Sequence, residues 1–220
     1  MLGLVGKQSS GLFSGEAAEQ RVSPRIAAAV VLGGVKMTNL NILVAGFGGQ
    51  GILFAGKIIA NAGMIDGREI SWLPSYGPEM RGGTANCSVC LSDDPIGSPL
   101  VTNPDVLIAM NLPSYEKYVN QVVPGGTIIV DSTMVGICTM RKDIEYHTVP
   151  ATAMAKEHEL QGLANVILVG KLLGATGFTT REVCEQAIEK SVSAKHLDLA
   201  EPNKRALKLG ELYSDNLCKE

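Results

Sequence analysis

Aromatic residues are scarce in this chain, with Phe, Trp and Tyr together making up 5% of 220 residues. A core must therefore be filled by Val, Ile, Leu, Ala and Met. Charge of one sign is also lacking. The net charge is −3, with no Lys/Arg cluster, which removes the electrostatic case for a nucleic-acid partner. Long apolar runs are absent too, since the N-terminal segment Ile26–Leu32 is far too short to span a bilayer. Cysteines number five, an odd and scattered set that argues for reduced thiols in a cytoplasmic setting. No cysteine array is present. Cys87 and Cys90 are the one close pair, and positions three apart on a strand face opposite ways, so they read as two small buried apolar residues. What remains, 45% apolar and 19% charged residues, describes an ordinary globular protein of one domain.

Residues 1–36 are rich in Gly, Ser and Ala and carry no helix or strand period. Arg21 and Arg25 precede the apolar stretch, as in a secretory signal, but the charged region is long and the apolar one minimal. The segment is expected to be a poorly ordered extension, or a product of start-codon choice, with the domain running from Met37 to residue 220.

From Asn39 onward strands alternate with helices. Asn41–Ala45 reads as a buried parallel strand. A helix follows over Gly51–Ala62, with Gly63 as its C-cap. Strands are expected at Glu69–Leu73, Thr84–Leu91, Asp105–Met110 and Thr127–Asp131, and another in "IEYHTVP". Helices are expected from Pro113 to about Gln121, and over Ala151–Glu159, Ala164–Thr176, Thr180–Ser191 and Glu201–Tyr213, with Thr179 capping the fourth of these and Glu182 at N3. The fold class is therefore α/β: a Rossmann-like, doubly wound, mostly parallel sheet with a hairpin-like insertion and a helical C-terminal third.

Gly46, Gly48 and Gly51 stand in G-x-G-x-x-G spacing between the first strand and helix. Such glycines permit a tight turn, close approach of a phosphate to backbone N–H groups, and close helix packing. A dinucleotide site also needs an acid about 20 residues on, at the end of the second strand. That end reads "SWLPSYG", without a carboxylate, and Glu69 lies at the strand's beginning. NAD or FAD is disfavoured. A glycine turn that only packs strand on helix, and a phosphate ligand of another kind, both stay open. The stretch "PSYGPEMRGGTANC" places Arg81 beside Gly82 and Gly83 directly after the second strand. A cation next to accessible N–H groups suits a phosphate or carboxylate; the alternative is a rigid loop with a solvated arginine. His147, His158 and His196 show no spacing with a nucleophile or carboxylate. Asp93–Asp94 and Arg141–Asp143 read as turn and surface charge, and Asp131 as a residue that could face the crevice at the strand ends.

The segments "ILVAGFGGQGILFAGKIIA", "PSYGPEMRGGTANCSV", "IGSPLVTNPDVLIAMN" and "LANVILVGKLLGATG" together resemble the gamma subunit of the 2-oxoacid:ferredoxin oxidoreductases, most closely the 2-oxoglutarate branch. The resemblance runs from Met37 to the C-terminus. It implies a subunit of an enzyme that decarboxylates a 2-oxoacid, forms the acyl-CoA and passes electrons to ferredoxin. It implies partners as well: alpha and beta subunits and a ferredoxin-like delta subunit, which hold thiamine diphosphate and the iron–sulfur clusters. No catalytic residue or metal ligand is expected in this chain, and a homo-oligomer is an option for the isolated chain. Coenzyme A handling, or subunit docking, would fall to Gly46, Gly48, Gly49, Gln50 and Gly51 of one loop and to Tyr76, Arg81, Gly82, Gly83 and Asn86 of the other. Two other readings stand beside this one: a free-standing nucleotide-binding oxidoreductase, and a gamma subunit of the pyruvate, branched-chain or indolepyruvate type.

Overall fold

A computed structural model describes residues 39–76, 84–136, 141–192 and 198–214. The expectations for residues 1–36, and for Arg81, Gly82, Gly83 and His196, fall outside the described residues.

Six strands form one sheet in the order β2-β3-β1-β4-β5-β6. They are β1 (Leu40–Phe47), β2 (Glu69–Tyr76), β3 (Thr84–Ser92), β4 (Val106–Ala109), β5 (Thr127–Asp131) and β6 (Glu145–Val149). The pairs β1–β4, β4–β5 and β5–β6 are parallel. β3 runs antiparallel to both β1 and β2, between them. This is the expected mostly parallel sheet, and the hairpin-like insertion is β3. Its position matters, because β2 lies two strand spacings from β1, about 9–10 Å at the usual separation. Even a carboxylate at the end of β2 would stand away from the glycine loop.

Strands buried on both faces split their side chains by period two. Ile42, Val44, Cys87, Val89, Ile108 and Ile129 enter one core. Leu43, Ala45, Cys90, Leu107, Ile128 and Val130 enter the other. The first face carries α1 (Ile52–Ile65), α4 (Ala151–Glu157), α5 (Ala164–Thr176), α6 (Arg181–Ser191) and α7 (Ala200–Glu211). The second carries α2 (Leu112–Tyr118), its continuing 3-10 turn Val119–Gln121, and α3 (Ser132–Val135). The helical C-terminal third thus packs on the α1 face. Lys57 Nζ donates to the Ser191 carbonyl (3.0 Å) and Asn61 Nδ2 to Ser191 Oγ (2.7 Å), fastening α1 to the end of α6.

Four local expectations need correction. α1 continues past Gly63 to a C-cap at Asp66. Gly63 is instead a packing residue, since a Cβ there would sit 2.5 Å from Leu91 Cδ2. The cap of α6 is Thr180, whose hydroxyl accepts from Val183 N at 3.3 Å, so Glu182 falls at N2. Asp131 does not face the crevice. It is fully buried and accepts from Thr133 N and from Thr152 N and Oγ1. Arg141 is more than surface charge. Its Nη1 donates to the Val119 and Val122 carbonyls (2.9 and 2.8 Å), holding the 3-10 turn, and its hydrogen bonds to Asp143 keep that carboxyl below its usual pKa.

The cysteine pair behaves as its spacing dictates, one thiol in each core. Burial pushes Cys87 and Cys184 up to about 12 and raises Cys90. Only the thiolate reacts, so Cys87 and Cys184 should remain unlabelled by iodoacetamide at pH 8 in the folded chain. Both should label fully in denaturant, as read by peptide mass spectrometry. The same shifts make stability fall as pH rises from about 9 towards 12, because there the unfolded chain has lost the thiol protons and the folded chain has kept them.

Candidate functional site

The sequence-predicted residues that are described lie at the carboxyl edge of the sheet in two groups. The first is the turn from β1 into α1. Gly46 ends the strand under tight packing. A Cβ there would lie 2.5 Å from Ile52 Cδ1 and 2.7 Å from Gln50 Oε1. Gly48 and Gly49 are exposed. Gly49 has φ +95° with open space around it, and Gly51 has φ +76° as the N-cap of α1; both conformations favour glycine. Gly51 provides no side-chain cap, and the first turn of α1 holds no acid. Its N–H groups therefore lack intrahelical partners at the positive end of the helix dipole.

After β1 the chain turns to one face of the sheet, and after β4 it turns to the other. The crevice between them is where an open α/β sheet accepts a ligand. Gln50 occupies it. Its Oε1 accepts from Phe47 N (2.6 Å) and from Asn111 Nδ2 (3.1 Å), and its Nε2 donates to the Met110 carbonyl (3.0 Å). Asn111 in turn caps α2 by accepting from Ser114 N at 2.9 Å. Asn165 of α5 braces the turn from the far side, donating to the Gly51 carbonyl at 3.0 Å. The loop is thereby clamped from three elements, with the Gln50 side chain held between β1 and the end of β4. Gln50→Ala should cost about 2 kcal/mol, the net worth of such bonds plus the donors left unpaired. That corresponds to a fall of about 4–8 °C in the melting midpoint, measured by circular dichroism.

The second group begins at Asn86. Thr84, the first residue of β3, pairs with Phe47 of the glycine loop, and Ala85 pairs with both Gly46 and Tyr76. The start of β3 is therefore set beside the β1–α1 turn. Asn86 itself points to the second face and donates to Tyr118 Oη at 3.1 Å. There it helps line a cavity of about 390 Å³. The floor is two cross-strand rows, Leu73–Ser88–Leu43 and Ser75–Asn86–Ala45 in register order, of which all but Ala45 line the space. Leu100–Thr102 wall one side, and Tyr118 and Gln121 the other. Sequence reasoning missed every one of these except Asn86. The available signal was alternation in β3, where Asn86, Ser88 and Cys90 put small or polar residues on one face between the apolar Ala85, Cys87 and Val89.

No helix among the described residues is long and apolar enough to cross a membrane. Among them no group of three or more His, Cys, Asp or Glu residues is arranged to hold a metal ion.

Comparison with known proteins places this geometry. The family model for pyruvate ferredoxin/flavodoxin oxidoreductase matches residues 41–213. Ketoisovalerate oxidoreductase subunit VorA of Methanothermobacter thermautotrophicus is 38% identical over 78% of this chain. The chain spans only 35% of that relative's length. The 2-oxoglutarate synthase subunit KorC of Methanocaldococcus jannaschii is 38% identical over 72% of this chain and is covered over 86% of its own length. Among solved structures, the gamma subunit of a keto/oxoacid ferredoxin oxidoreductase from Geobacter sulfurreducens superposes with a TM-score of 0.69 at 30% identity. That match covers 79% of this chain and 94% of that subunit.

Proposed function

We propose a function from one premise: this chain belongs to the pyruvate ferredoxin/flavodoxin oxidoreductase family. In this reading it is the gamma subunit of a cytoplasmic 2-oxoacid:ferredoxin oxidoreductase that converts 2-oxoglutarate to its acyl-CoA and reduces ferredoxin. Alpha and beta subunits and a ferredoxin-like delta subunit complete the enzyme and hold the thiamine diphosphate and the clusters. The choice of 2-oxoglutarate rests on the KorC relative, which this chain matches over 86% of its length. An equal identity to VorA favours a branched-chain 2-oxoacid as the second reading. The assembled complex, assayed by coenzyme A-dependent dye reduction with 2-oxoglutarate, 2-oxoisovalerate and pyruvate in turn, decides by which substrate gives the highest kcat/KM. The first is expected.

This chain's own contribution is the carboxyl edge. The supporting observation is the pairing of Phe47 with Thr84, which sets the start of β3 beside the glycine loop; Arg81 stands three residues before Thr84 in sequence. The unpaired N–H groups of the α1 first turn, together with the guanidinium of Arg81, would suit a phosphate of coenzyme A. Gly49, exposed and with open space where a Cβ would be, permits close approach. Arg81→Ala in the assembled complex should raise the KM for coenzyme A about tenfold, the effect of losing one charge-assisted hydrogen bond, with kcat retained. An unchanged KM would assign the edge to subunit docking instead.

A further inference from the structure

The cavity on the second face of the sheet is best explained by a partner polypeptide. α1 covers the first face of β2 and β3, whereas on the second face α2 packs on β1 and β4, and α3 on β5 and β6. Among the described residues no helix packs on that face of β2 and β3, where the cavity lies, walled by Leu100, Val101 and Thr102 and by Tyr118 and Gln121. β2 is also, among the described residues, an outer strand of the sheet, so one row of its backbone N–H and C=O groups points away from β3 and offers a template for pairing. One large apolar side chain stands out at this corner, Leu100 at the cavity rim, 58% exposed; Trp72 of β2 faces the other way, opposite Val89 on the α1 face. An exposed apolar side chain at the rim of a recess, next to an outer strand, is a feature of interaction surfaces.

The lining chooses between a small ligand and a protein. None of the ten residues around the cavity carries a charge. A 2-oxoacid or a phosphate ester entering it would leave its charge without a cation, at a cost of several kcal/mol. Leu43, Leu73, Leu100 and Val101 beside the hydroxyls of Ser75, Thr102 and Tyr118 suit an uncharged peptide segment with one apolar side chain. The comparisons identify what would supply it. The same domain is about a third of the VorA chain but nearly all of KorC. A unit that is fused in one relative and free in another needs a non-covalent seat for the remainder when it is free.

We infer that the groove between β2, β3 and residues 98–102, with Leu100 at its rim, is the seat for the subunit that corresponds to the other two-thirds of the fused relative. This rests on the reading of the chain as one subunit of a larger oxidoreductase. The test is hydrogen exchange on the wild-type chain, free and in the co-expressed complex, with the partner subunit identified by mass spectrometry. Peptides spanning residues 69–76 and 98–102 should gain at least tenfold protection in the complex. Leu100→Asp, and separately Thr102→Arg on the exposed loop, should cut recovery of that subunit at least tenfold with the melting midpoint unchanged. Leu212→Asp, 60% exposed on the opposite face, should assemble as wild type. Normal assembly of both the Leu100 and Thr102 variants, or no added protection in the complex, overturns the groove assignment and leaves the subunit reading standing. A wild-type chain that captures no such subunit overturns both. Protection of the same peptides in the free chain, by coenzyme A, by a 2-oxoacid or by dimerisation, assigns the groove to that occupant and overturns the inference.

Discussion

Gly210→Val is expected to leave the chain without a stable fold. α7 crosses α5 so closely that a Cβ at Gly210 would lie 1.8 Å from the Ile167 carbonyl oxygen. Facing it, a Cβ at Gly170 would lie 2.0 Å from the Leu207 carbonyl oxygen, and one at Gly174 2.7 Å from that of Glu211. The obstructing atoms are backbone, so no side chain can swing aside and the two helices must separate. α5 is buried on nearly every side, from Asn165 to Thr176, and cannot move without disturbing the larger core. Overpacking typically costs 1–3 kcal/mol where side chains yield; with rigid backbone on both sides about 4 kcal/mol or more is expected, a large part of a domain's stability. Valine is a better helix former than glycine by only a few tenths of a kcal/mol, too little to offset the steric term. Thermal melts should show a midpoint lowered by about 10 °C or more, or no cooperative transition at all. Gly97→Ala serves as the control, because open space surrounds Gly97; its midpoint should match wild type.

Asp131→Ala should rank next. The carboxylate at the end of β5 is fully buried. It caps α3 through Thr133 N (3.1 Å) and holds the start of α4 through Thr152 N and Oγ1. Alanine would leave two backbone donors and a hydroxyl, all partly buried, without their acceptor. Orphaned buried donors cost about 1–3 kcal/mol each, and partial relaxation of two short helices brings the expected loss to about 3–4 kcal/mol. Asp131→Asn keeps one acceptor oxygen but turns an NH2 group towards a donor, so about half that loss is expected. Urea denaturation checks both: the midpoints should fall in the order wild type, Asn, Ala, at an unchanged slope. Equal midpoints for Ala and wild type would show that Asp131 does not hold these helices.

The periodic parts of the chain were legible from sequence, and the non-local parts were not. α5 and β5 fall on the residues that pattern assigns, because an unbroken apolar helix and a β-branched run leave no competing local structure. The insertion of β3 between β1 and β2 carries no local mark, since it is a pairing choice between distant segments. Gly63 looked like a helix stop because it follows a periodic run; only the position of Leu91 makes it a packing residue. At the site, the glycine spacing located the turn correctly. That Gln50 fills the crevice depends on Met110 and Asn111, 60 and 61 residues away. The neutral groove drew least notice, for its lining comes from separate segments between Leu43 and Gln121.

The central claim is that this chain works as one subunit of a 2-oxoacid:ferredoxin oxidoreductase rather than as a free nucleotide-binding protein. Affinity purification of the tagged chain from its native cells, with subunit identification and activity measured on the same eluate, tests it most directly. The account predicts co-elution of alpha and beta subunits in equal amounts and coenzyme A-dependent oxidation of 2-oxoglutarate by the eluate. A chain that elutes alone and binds NADH or NADPH at micromolar concentration would contradict it.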